Sequence, residues 1–165
     1  MTSADWEQRI SAAWEALDDL DEEEFRARIE ALAAERPPGD AAALFERACA
    51  NDSTGRPDAA VPLYREALAA GLTGIRRRRA VIQLASSLRN LGHADESVAL
   101  LHAELDAGSD ELDDAVVAFY ALALSSTGRD REAAGLALEA LARHLPRYNR
   151  SLANYARELS SSPAT

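Results

Sequence analysis

RPDAAVPLYREAL (residues 56–68), HADESVALLHAEL (93–105) and RDREAAGLALEAL (129–141) each follow a glycine: Gly55, Gly92 and Gly128. The glycines stand 37 and 36 residues apart. Each closes one apolar helical pattern and opens a second of similar make-up. Self-similarity at this period marks a helical repeat array, in which one helix pair cannot bury its apolar face alone and stacks on its neighbours.

The bulk composition points the same way. The 165-residue chain is 47% hydrophobic, rich in Ala and Leu and poor in β-branched residues, which favours helix over strand. Its formal net charge of -10 argues against a nucleic acid partner, whose phosphates it would repel. No stretch approaches the roughly 18 apolar residues of a membrane span. The start, MTSADWEQRI, lacks the basic-then-apolar layout of a secretory signal, so a soluble cytoplasmic protein is the simplest expectation. The single cysteine, Cys49, excludes an intramolecular disulfide.

Working outward, Trp6, Ile10, Trp14 and Leu17 recur at helical spacing and predict a first helix over residues 5–18. The acidic run Asp18, Asp19, Asp21, Glu22, Glu23 and Glu24 suits the positive end of a second helix, which carries Phe25, Ile29 and Leu32 and stops before Pro37. Asp40 reads as the N-cap of a third helix with Leu44, Phe45 and Ala48. Pro57 fits the first turn of a fourth. Pro62 lies deeper, and predicts a late helix start or a bend. Further helices follow over residues 74–90, 94–107, 112–124, 129–144 and 148–159.

This arrangement resembles the tetratricopeptide repeat family, and stretches such as Ser86-Ser87-Leu88-Arg89-Asn90-Leu91-Gly92 resemble its bacterial group-5 subgroup. The family pattern places a small residue in the first helix, a glycine at the turn, and Ala, a large residue and Ala in the second. In register with Gly55 stand Ala48, Ala60, Tyr64 and Ala67. With Gly92 stand Ala85, Ser97, Leu101 and Glu104, where Glu104 departs from the pattern. With Gly128 stand Ala121, Ala133, Ala137 and Ala140, and Pro146 marks the exit. The resemblance implies an all-α fold of antiparallel helix pairs stacked into a short right-handed solenoid. Its parts would be a degenerate first pair over 4–37, repeats over 41–72, 75–108 and 112–145, a capping helix over 147–159, and a disordered tail over 160–165.

The same resemblance places the first helix of each repeat on a concave groove. By register, Phe45, Cys49 and Asp52 come from one repeat. Arg79, Ile82, Ser86, Arg89 and Asn90 come from the next, and Ala118, Leu122, Ser125 and Ser126 from the last. Such a groove suits a peptide or partner segment that is acidic or carboxylate-bearing. Arg76-Arg77-Arg78-Arg79 opens the fifth helix against its dipole. It reads either as a solvated face paired with the acidic run of Asp18 to Glu24, or as an anion-recognising patch. Trp6, Ile10 and Trp14 read either as core or as a homodimer contact.

Catalytic chemistry finds little support. His93, His102 and His144 lack metal-ligand spacing, and Cys49 has no base partner. Asp18-Asp19 and Asp113-Asp114 sit where capping explains them. The expectation is a non-enzymatic protein–protein interaction module with no catalytic residue, metal or cofactor. The alternatives are a homodimeric structural protein or a small-molecule sensor.

Overall fold

A computed structural model describes residues 3–161. Among them the regular elements are helical: α1 (Ser3–Glu15), α2 (Glu22–Ala33), α3 (Ala41–Ser53), α4 (Pro57–Ala69), α5 (Gly74–Asn90), α6 (Ala94–Leu105), α7 (Asp113–Ser126), α8 (Asp130–Ala142) and α9 (Asn149–Ser161), with a 3-10 turn over Leu17–Asp19 between α1 and α2. The last helix therefore runs on through Ser161, and the rest of the expected tail lies outside the described residues.

The three periodic glycines close α3, α5 and α7 identically. Gly55, Gly92 and Gly128 have φ of 70°, 87° and 80°. The amide after each glycine donates back into the helix, Arg56 to the Asn51 carbonyl at 2.9 Å, His93 to Leu88 at 2.8 Å and Arg129 to Leu124 at 3.0 Å. Each glycine amide donates to a carbonyl three residues earlier. This is a Schellman cap. A side chain in that left-handed conformation costs about 1–2 kcal/mol, so glycine recurs because the conformation recurs.

Helix starts follow local chemistry. The Asp21 carboxylate accepts from the Glu24 amide at 2.8 Å, and that of Asp40 from the Ala43 amide at 3.0 Å. Pro57 occupies the first turn of α4, and the helix runs without interruption through the exposed Pro62. The expected late start is thus not seen; the carbonyl left without a donor lies near the open first turn, where water can satisfy it.

The described residues fall into two compact units, divided between Ser87 and Leu88. In the first, α1 packs on α2, α2 on α3 and α3 on α4. Its N-terminal core joins Trp6, Ile10 and Ala13 to Phe25, Ile29 and Leu32, all buried. Its repeat positions Ala48, Ala60, Tyr64 and Ala67 are fully buried. In the second, α6, α7, α8 and α9 pack in chain order. Ser97 and Leu101 are buried there. So is Glu104, 2% exposed, which puts a carboxyl side chain at this core position. Ala137 departs from its register and is exposed, whereas Ala133 on one side of α8 and Gly135 and Ala142 on the other are buried.

Candidate functional site

Within the first unit, α3 and α5 meet through a ladder of side chains. Arg76 Nε donates to Glu46 Oε1 at 3.0 Å, and the Arg79 guanidinium stands 5.2 Å from the Phe45 ring centroid. The Cys49 thiol meets Gln83 Oε1 at 3.4 Å, and Ser87 donates to Asp52 Oδ1 at 2.7 Å. Cys49 and Gln83 are 34 residues apart and Asp52 and Ser87 are 35, one helix pair in each case. The first helix of one repeat therefore lies along the first helix of the next.

The four arginines divide by role. Arg76 is gripped by Glu7 at 2.8 and 2.5 Å and by Glu46, and Glu46 also accepts the Trp14 indole N–H at 2.8 Å. The hydrogen bond from Arg76 holds the Glu7 carboxyl below the usual carboxylate range. The same pairing raises the Arg76 pKa. The partners of Arg76 are thus Glu7 and Glu46, a correction to the expected pairing with the acidic run: two carboxylates from α1 and α3 already converge on the start of α5. Arg77 and Arg78 also have partners, and Arg78 is buried. Arg79 is exposed, and among the described residues no carboxylate pairs with it.

Of the other expected groove residues in this unit, Phe45 is fully buried and Ile82 is 5% exposed. They are core residues, which corrects their assignment to an open groove. Helical spacing set the stripe, and the packing of α3 against α4 covered part of it. Ser86 is half-buried. In the second unit, Arg89 donates to Asn90 Oδ1 at 3.0 Å, and its Nε is shielded with no partner among the described residues. Asn90 is exposed, Leu122 is 48% exposed, and Ser126 is exposed with its hydroxyl donating to the Leu122 carbonyl at 3.1 Å.

The tryptophan stripe is interior. Trp6 is 1% exposed and its indole N–H donates to the Leu32 carbonyl at 2.8 Å; Ile10 is 4% exposed. Trp14 is half-buried and packs edge-on to Phe25 at 4.9 Å. A homodimer contact through Trp6 and Ile10 is corrected accordingly, since α2 already covers them.

Among the described residues the one cysteine is buried and not poised as a nucleophile. Burial pushes the Cys49 thiol up to about 12, so it carries no thiolate at neutral pH. Tyr64, 3.6 Å from Cys49 Sγ and 3.3 Å from Asp52 Oδ2, is raised by burial as well. Burial also raises Asp52, against the hydrogen bonds from Ser87 and Tyr64 that oppose the shift. His102 Nδ1 lies 3.4 Å from the Tyr120 hydroxyl and His144 Nε2 lies 2.7 Å from Asp114. Sequence reading missed Glu7 and Glu46 as the ligands of Arg76, because their separations of 69 and 30 residues leave no local pattern.

Helix pairs at a fixed period, the first helix of each closed by one glycine cap, with a ladder one repeat long between α3 and α5, define a helical-repeat protein. The sequence matches the family model described as "Tetratrico peptide repeat", of group-5 type, over residues 41–159, and the chain belongs to that family. No curated protein and no solved structure matches it. Proteins of this family generally serve as interaction scaffolds for other proteins.

Proposed function

We propose that this protein is a non-enzymatic interaction module that takes an acidic or carboxylate-bearing partner segment on the first helices of its repeats, with Arg79 as an anchor. The observation that carries this reading is the state of Arg79. It is an exposed guanidinium braced on Phe45, without a carboxylate partner among the described residues, in a chain of net charge -10. Its neighbour Arg76 shows what such a group does here when carboxylates are in reach. Arginine presents a planar fork that binds carboxylates in pairs of hydrogen bonds. In the second unit, taken by itself, Asn90 is exposed and its Oδ1 accepts from the half-buried Arg89. The overall acidity favours a protein partner over a nucleic acid.

The test is the paired change Arg79→Ala, Arg89→Ala. Loss of partner binding with an unchanged helical spectrum supports the reading, and unchanged affinity overturns it.

A further inference from the structure

Helix α9 crosses α8 at Gly135. A β-carbon on that glycine would stand 2.7 Å from the Ala156 carbonyl oxygen and against Ser160. Beside this crossing a cleft of about 670 Å³ opens between α7, α8 and α9, all within the second unit. Val117, Leu136, Ala140 and Ala153 give it apolar walls. Arg143, Arg150 and Arg157 line it, against one lining carboxylate, Glu139.

The three guanidinia are unequal. Arg143 pairs with Asp114 at 2.7 Å. Arg157 reaches Glu139 at 3.3 Å, with both side chains well exposed, a pair that exchanges readily with a better ligand. Arg150 has no side-chain partner among the described residues. Arg150 and Arg157 are two helical turns apart, about 10 Å along α9. An extended chain of polyproline-II type brings every third residue to the same face, at intervals of about 9 Å.

We infer that this cleft binds an extended acidic segment of a partner protein, in which carboxylates at every third residue meet Arg150 and Arg157 and the residues between them rest on Val117, Leu136 and Ala153. Charge complementarity selects that occupant. Three arginines gather in one cleft of a chain whose overall net charge is -10. The site is separate from Arg79 and does not rest on the reading of that residue.

The probe is a fluorescein-labelled peptide of Glu-Leu-Pro repeats, followed by anisotropy against the full chain, with the Gln-Leu-Pro peptide as control. The expected result is saturable binding that weakens as salt rises and that the control lacks. The double variant Arg150→Glu, Arg157→Glu should weaken it at least tenfold with its helical spectrum unchanged. Arg79→Ala, Arg89→Ala should leave it within twofold. Equal binding of the control, or a charge-reversed cleft that still binds, overturns the inference. So does concentration-dependent self-association that Arg150→Glu, Arg157→Glu abolishes while no peptide binds, which would give the cleft to the Asp18–Glu24 run of a second copy.

Discussion

The backbone of Ala156 rests directly on Gly135, so closely that a methyl group on the glycine would come within 2.7 Å of the Ala156 carbonyl oxygen. Alanine has the higher helix propensity, by about 1 kcal/mol. Against that, backbone atoms cannot turn aside as a flexible side chain can, and overpacking costs about 1–3 kcal/mol. Gly135→Ala should therefore destabilise the protein by about 1 kcal/mol and speed amide exchange in α9 selectively. Ser160→Ala should rescue it only in part, because the Ala156 carbonyl remains. Urea denaturation with hydrogen exchange reads both effects.

Arg76 ties α5 to α1 and α3 through Glu7 and Glu46, and the Glu46 side chain is only 4% exposed. Removing one member of a buried ion pair leaves the other uncompensated, at a cost of about 3–5 kcal/mol. Arg76→Ala should cost about 3 kcal/mol in chemical denaturation. Arg76→Met combined with Glu46→Leu should recover a good part of that loss. A cost below about 1 kcal/mol for the single change would show the cluster to be solvated.

Glu7 and Asp52 should give stability opposite slopes with pH. Bonding by Arg76 lowers Glu7 from its ordinary 4.5, so its contribution is present above that value and is lost as pH falls through the lowered folded one. Burial raises Asp52 from 3.8. Between 3.8 and its raised folded value the folded state holds a proton that the unfolded chain has released, so stability falls as pH rises through that window. Glu7→Gln should flatten the loss in acid. Asp52→Asn, which keeps an acceptor for Ser87, should remove the fall on the rising side. Urea midpoints across about pH 3 to 7 separate the two.

Cys49 is 1% exposed, with its thiol pushed up to about 12. A disulfide reagent at neutral pH should leave it unmodified in the folded protein and label it only on unfolding. Labelling on mixing would place the thiol at the surface.

Much of this architecture can be read from the residues. Gly55, Gly92 and Gly128 mark a conformation only glycine adopts freely, so their period transmits directly into the fold. Asp40 and Pro57 act within one turn of where they stand. Trp6 and Ile10, one turn apart, share a face whichever element covers it, and here α2 covers it. The site is harder to read. Register placed Phe45 and Ile82 on a first-helix stripe, but only the packing of neighbouring helices decides which part of a stripe stays open. Gly135 looks like a defect in α8 until α9 is laid on it. Arg143 directly follows α8 while Arg150 and Arg157 lie on α9, and their common cleft appears only when those helices are docked.

The central claim is that Arg79 anchors an acidic partner segment. Its most direct test is affinity capture from a native lysate by the wild-type chain and by the Arg79→Ala, Arg89→Ala variant in parallel, quantified by mass spectrometry. The account predicts a partner with a carboxylate-rich segment, enriched by the wild type, released by salt, and reduced at least tenfold with the variant. The same partner retained equally by both proteins would contradict it.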